Sequence, residues 1–205
     1  MDAPTDEKLL AEYLRGRTGG FELLVRRHTA ELFQFVVRFT GDSAAAEDVV
    51  QETFLQVHSA ADRFDPKKRF KPWLFTIAAN KARDFLRRRS RRRDVPLDAH
   101  FGDDADADRR FVHLLSGDGP SPESDLFAEE ERRIVRQVIA EMPPNLSEVL
   151  ILAYFHRFPY KEMGEILEIP LGTVKSRLHS AVAHFAERYR GRIAEGQKRE
   201  SDQEP

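Results

Sequence analysis

Apolar residues recur at spacings of three and four along most of the chain, and no segment of any length alternates with the period of two that a strand requires. Leu9, Leu10, Tyr13 and Leu14 mark a first helix. Phe21, Leu24, Val25, His28, Leu32, Phe35, Val36 and Phe39 mark a longer second one with a single apolar face. Gly41-Asp42-Ser43 interrupts the pattern and offers an N-cap to a third helix, which carries Glu47, Asp48 and Glu52 beside an apolar stripe of Val49, Val50, Thr53, Phe54 and Val57. Asp65-Pro66 ends it. A fourth helix, starting near Arg69 or Pro72, aligns Trp73, Leu74, Ile77, Ala78 and Phe85 before running into arginines; that register assigns Trp73 to the core.

From Asp94 to about Pro122 the sequence turns to Asp, Gly, Ser and Pro with scattered apolar residues, a linker composition. Helical periodicity resumes over Leu126 to Met142, halts at Pro143-Pro144, and restarts at Asn145, which with Glu148 three residues on resembles a capping pair. It fades near Arg190, leaving a polar tail that is expected to fray. The chain therefore reads as all-α, with two helical domains over 8–93 and 125–190, an acidic flexible linker over 94–124 and a tail over 191–205.

Composition agrees with two modest cores under a charged surface: 205 residues, 40% hydrophobic and 33% charged. The longest apolar run, Val149 to Phe155, is far short of the roughly 20 residues that span a bilayer, and the acidic start lacks a signal-peptide pattern. A cytoplasmic chain without membrane insertion is expected. The absence of cysteine excludes disulfides, thiol nucleophiles and thiolate metal sites.

The net charge of -2 hides a segregation. Lys67 to Arg93 holds twelve basic residues against one acid, Asp84, whereas Asp94 to Glu131 holds twelve acids against Arg109 and Arg110. So dense a basic block would repel itself unless it faces a polyanion or an acidic partner, and helical arginine runs most often face phosphate.

Tyr160 to Tyr189 carries the most specific pattern. Met163, Ile166 and Leu167 define one short amphipathic helix. Ile169-Pro170-Leu171-Gly172 breaks it, with Gly172 expected to permit the turn, and Thr173 is a suitable cap for a second helix aligned on Val174, Leu178, Ala181, Val182 and Phe185. That is the spacing of a helix-turn-helix. The outward face at the start of the second helix holds Thr173, Lys175, Ser176, Arg177, His179 and Ser180, short donors beside cations that suit phosphate positioning and edge reading in a major groove.

The string Ile169-Pro170-Leu171-Gly172-Thr173-Val174-Lys175-Ser176-Arg177-Leu178 resembles region 4 of bacterial RNA polymerase sigma factors, as do Pro143 to Leu150 and Tyr160-Lys161-Glu162-Met163 before it. Asp48-Val49-Val50-Gln51-Glu52-Thr53-Phe54 and Phe70 to Ala78 are similar to region 2. The resemblance covers about 8–93 and 125–190 and is to the extracytoplasmic-function (ECF, group 4) type, which keeps only these two regions. It implies a promoter-specificity factor that binds core RNA polymerase and promoter DNA and promotes opening, without catalysis or cofactor, and that is held by an anti-sigma factor.

By the same resemblance, Asp48, Gln51, Glu52 and Phe54 fall on the helix that docks on the coiled coil of the polymerase's largest subunit; an acidic, partly apolar face suits a basic groove. Asn80, Lys81, Arg83, Asp84, Arg87 and Arg88 match the part facing the minus-10 element, where a base is captured from the non-template strand. The arginines to Arg93 would add phosphate contacts. Tyr160, Lys161, Thr173, Lys175, Ser176, Arg177 and His179 match the part facing the minus-35 element. Ser180 and Ala183 depart from the family pattern, and His58 replaces a frequent aromatic.

Two other classes compete. A helix-turn-helix regulator would bind an operator without polymerase. A metal enzyme would use His100, Asp103, Asp104, Asp106, Asp108 and His113, but that stretch lacks the rigid surroundings a metal centre needs. The acidic linker is also a candidate to fold against Arg87 to Arg93 and restrain the free protein, or to lie in the polymerase's RNA-exit channel.

Overall fold

The computed structural model describes residues 3–17, 19–91 and 125–201, with side chains for all of these except 125–130 and 195–201. The acidic linker, Arg92 and Arg93, and the candidate metal residues His100 to His113 lie outside the described residues. Every regular element among the described residues is helical: α1 (Asp6–Leu14), α2 (Gly19–Thr40), α3 (Ser43–Ala60) with a short 3-10 turn (Ala61–Arg63), α4 (Phe70–Arg91), α5 (Asp125–Glu141), α6 (Pro144–Leu150) with a π turn (Ile151–Phe155), α7 (Tyr160–Leu167) and α8 (Leu171–Ser201). By contacts the chain forms two units, 1–95 with 159–171, and 96–158 with 172–205.

In the first unit α2, α3 and α4 pack on one another and α1 closes over α2. The centre is Leu10, Leu24, Leu32, Phe35, Phe70, Leu74 and Phe75, all essentially fully buried, with Phe35 and Phe75 at 5.3 Å between ring centroids. Local signals set several boundaries. Asp42 caps α3 as expected, accepting from the Ala45 N–H at 3.1 Å. Other boundaries come from afar: Glu7 on α1 accepts the N–H of Phe70 at 2.9 Å and so caps α4 from 63 residues away. Gly20 is where α1 and α2 touch, since a Cβ there would lie 2.4 Å from the Leu9 carbonyl oxygen. A buried polar group joins the same two helices. His28 Nε2 is 2.8 Å from Asp6 Oδ2, and Asp6 Oδ1 accepts from Arg27 at 2.5 Å.

Two aromatic positions resolve differently from the sequence pattern. Trp73 is half-buried, wedged against Phe64 at 4.9 Å and Phe70 at 5.9 Å, because its position faces the edge where the 3-10 turn leaves α3. His58 sits between Tyr13 at 5.7 Å and Phe21 at 5.6 Å, doing the packing of the aromatic ring it replaces. α7 is grouped with this unit and lies against α4, with Arg69 Nη1 at 2.6 Å from Glu162 Oε1.

The second unit buries Val138, Val149, Leu150, Ile151, Leu152, Val174, Ala181, Phe185 and Ala186 completely or nearly so. Four features of this unit differ from what the sequence pattern predicts. Asn145 does not cap α6: the helix begins at Pro144, whose fixed φ suits its first turn, and Glu148 is 3% exposed instead of reaching back to the cap. The turn after α7 is made by Glu168, at φ 56°, not by Gly172, which is inside α8. Thr173 is likewise inside α8, its carbonyl accepting from Ser176. Finally, α8 does not stop near Arg190 but continues to Ser201.

Candidate functional site

The outer strip of α3 is the first element. Positions 48, 51, 52 and 55 recur at i, i+3, i+4 and i+7, and Asp48, Gln51, Glu52 and Leu55 are all exposed. Phe54 is only 8% exposed and belongs to the buried stripe with Val50, Thr53 and Val57, whereas Leu55 is 68% exposed. Leu55 is thus a large apolar side chain exposed on this strip that the sequence pattern did not single out. Its signal was positional: it falls one step off the apolar stripe and onto the acidic face.

The second element is α4. Asn80, Lys81 and Arg83 are half-buried and Asp84, Arg87 and Arg88 exposed, along a strip that shares a shallow cleft with α3. Ala45, Asp48, Val49 and Glu52 form one wall and Lys81, Asp84, Phe85 and Arg88 the other. The structure thus brings together residues that the sequence assigned to two separate tasks. Five of the expected DNA contacts are engaged in internal pairs: Lys81 Nζ lies 3.2 Å from Glu52 Oε2, Arg83 donates to Asn80 Oδ1 at 2.7 Å, and Arg87 is 3.3 Å from Asp84. Arg89 is turned away from the strip and donates to the Thr40 carbonyl at the end of α2, where a cation complements the helix terminus.

The third element is the turn and α8. Leu167 ends α7, Glu168 adopts the left-handed conformation, and the Glu168 and Ile169 N–H groups both donate to the Gly164 carbonyl before α8 begins at Leu171. Tyr160 and Lys161 are exposed at the start of α7 and belong to the first unit; Thr173, Lys175, Ser176, Arg177 and His179 belong to the second. Lys175 and Ser176 are exposed and Thr173, Arg177 and His179 half-buried. Arg177 stands 3.6 Å from Glu148, whose side chain is only 4% exposed.

Deeper on α8, burial and then the nearby Arg188 charge lower the pKa of His184. Tyr189 donates to Glu131 at 2.9 Å, and burial together with that acceptor pushes its hydroxyl up to about 12. Among the described residues no cluster of His, Asp or Glu could hold a metal ion, and no helix is long and apolar enough to cross a membrane.

Comparison with known proteins places this geometry. The sigma-70 region 2 family matches residues 24–92 and the sigma-70 region 4 family matches residues 132–185. The RNA polymerase sigma-H factor of Pseudomonas aeruginosa is 32% identical over 177 residues, covering 86% of this chain and 89% of that protein. The chain belongs to the ECF sigma factors. SigW of Bacillus subtilis, an ECF RNA polymerase sigma factor, is 31% identical over 84% of this chain and 90% of its own length. Among solved structures, CnrH in complex with the cytosolic domain of CnrY matches with a TM-score of 0.63 and 26% identity, over 89% of this sigma factor and 95% of that chain. RpoE of Bartonella quintana, in complex with the anti-sigma factor NepR, shares the fold at a TM-score of 0.61 and 23% identity, over 83% and 96%. The chain is thus a promoter-specificity factor for transcription initiation, and the operator-binding regulator is not favoured.

Proposed function

We propose that this sigma factor divides its work among the three elements. The outer strip of α3, Asp48, Gln51, Glu52 and Leu55, docks on a basic groove of core RNA polymerase, with Phe54 supporting the strip from beneath. The α4 strip of Asn80, Lys81, Arg83, Asp84, Arg87 and Arg88 receives the minus-10 element. Asn80 can both donate to and accept from an exposed base edge, and the cations hold its backbone. The start of α7, Tyr160 and Lys161, and the first turns of α8, from Thr173 to His179, receive the minus-35 element, with Lys175 and Ser176 at phosphates and base edges. The protein performs no covalent chemistry, acts in the cytoplasm and is held inactive by an anti-sigma partner.

The observation that carries this reading is a cleft in which Asp48 and Glu52 of α3 face Lys81 and Arg88 of α4, beside an exposed Leu55 on the same α3 helix. A protein partner and a nucleic acid can be engaged side by side there. The test is transcription in vitro with purified core polymerase on a promoter library. Selection of paired upstream elements by the reconstituted enzyme supports it, and Asn80→Ala should impair opening more than initial binding. Stable recognition of an operator by the chain alone, without association with core enzyme, would overturn it.

A further inference from the structure

Glu52 reaches across the cleft from the α3 wall to the α4 wall. By helical register it shares the outer strip of α3 with Asp48 and Leu55, yet one of its carboxylate oxygens is 3.2 Å from Lys81 Nζ on α4. The pair is asymmetric: the Lys81 side chain is 22% exposed and the Glu52 side chain 57%. Lys81 is therefore partly drawn into the cleft by an acid that itself stands largely in solvent. Of its neighbours on the same helix, Arg83 donates to the neutral amide oxygen of Asn80 and Arg87 pairs with Asp84. Lys81 takes its partner from the strip proposed for docking.

We propose that Glu52 is a positioning residue that couples polymerase docking to DNA contact: it holds Lys81 in the free chain and yields it to promoter phosphate when a cation of the polymerase takes up the carboxylate. This rests on the functional reading above. The electrostatics run one way in any detailed geometry. A carboxylate within hydrogen-bond distance cancels much of the field that a nearby ammonium offers to a phosphate, and a second cation on that carboxylate restores it. An exposed pair of this kind is weak enough to exchange partners. Docking then strengthens a DNA contact without a large conformational change, and the isolated chain is kept from spending Lys81 on random DNA.

The experiment is a double-mutant cycle in the full chain, with Glu52→Gln, Lys81→Gln and the pair. Binding of a fluorescein-labelled single-stranded oligonucleotide is measured across a salt series. The same oligonucleotide is then titrated into each variant assembled with core polymerase. Glu52→Gln should tighten the free chain's binding by about two- to five-fold and steepen the salt slope by roughly 0.7, the increment for one phosphate on a single strand. Both changes should vanish in the Lys81→Gln background. In the assembled enzyme Lys81→Gln should cost more than it does in the free chain.

An equal gain from Glu52→Gln with or without Lys81 would mean a general charge effect and overturn the coupling. So would no gain at all while Asp48→Asn still weakens association with core polymerase; the functional reading would then stand without it. Failure of the unaltered chain to bind core enzyme would instead remove the reading on which the coupling rests.

Discussion

Lys81 and Arg177 are cations of the same kind on two helices of the same proposed task, and each stands beside a glutamate, but the glutamates differ. Glu52 has 57% of its side chain in solvent, Glu148 only 4%. An exposed acid can be solvated or claimed by another partner at little cost, so the pair that holds Lys81 is easily broken. An acid buried away from water is harder to solvate when its cation leaves, so drawing Arg177 away from Glu148 should cost more than drawing Lys81 away from Glu52. The identity of a basic residue on a DNA-facing helix does not say whether it serves the ligand or the scaffold. The burial of its counter-ion does.

The largest effect expected from this contrast is on stability. Arg177→Ala should lower the stability of the second unit by about 1 to 3 kcal/mol, less than the break of a fully buried pair because the Arg177 side chain is itself 31% exposed and Glu148 has further interactions. Urea unfolding followed by circular dichroism measures it, while fluorescence of Trp73, the only tryptophan, reports the first unit separately. Replacing Arg177 and Glu148 together by methionine should recover most of the loss. An unchanged midpoint in Arg177→Ala would erase the distinction between the two pairs and leave Arg177 as a base reader alone.

Next in size, Leu55→Asp should weaken core-polymerase association by about 1 to 2 kcal/mol, the loss of an apolar contact inside a polar docking surface. Thermal unfolding of the first unit should stay where it was, since Leu55 is already in solvent. Phe54→Ala should do the reverse and unfold the unit first. If Leu55→Asp binds core enzyme normally, the outer strip of α3 is not the docking face.

The units should also part in their response to acid. His184 has a folded pKa below its unfolded value near 6.5, so the unfolded state binds the proton more readily. The second unit therefore keeps its full stability above that value and loses it progressively as pH falls through 6.5 toward the lowered folded pKa. His184→Leu should flatten this dependence in denaturation curves taken across that window, and a dependence that persists would assign it to another group. The smallest effect is the counterpart of the first. Glu52→Gln should change the stability of the first unit by less than about 1 kcal/mol, for all its expected influence on DNA.

How much of this could be read from the chain depended on the distance over which each feature is decided. The cap at Asp42 and the apolar stripe of α3 are settled within one or two helical turns, and both are found where periodicity and capping chemistry put them. The stripe even separates Phe54 from Leu55, although grouping by motif joined Phe54 to the polar residues beside it. Glu148 shows the opposite failure. Three residues after Asn145 it had the spacing of a capping partner, but burial directed it inward to Arg177, 29 positions away in a different helix. The turn between α7 and α8 was assigned to glycine on intrinsic preference, and the surrounding fold instead holds Glu168 in the left-handed region.

The amino-acid order by itself determined the helical class, the two motif-bearing halves, the apolar stripes and the family, because each follows from residue spacing and identity along a continuous stretch. Tertiary structure alone decided which charges meet. Glu7 caps α4, Asp6 holds His28, Glu52 reaches Lys81 and Glu148 receives Arg177, each across a helix boundary. Those partnerships depend on the through-space distance between side chains and on how much water is left around them, and neither quantity is a property of one segment.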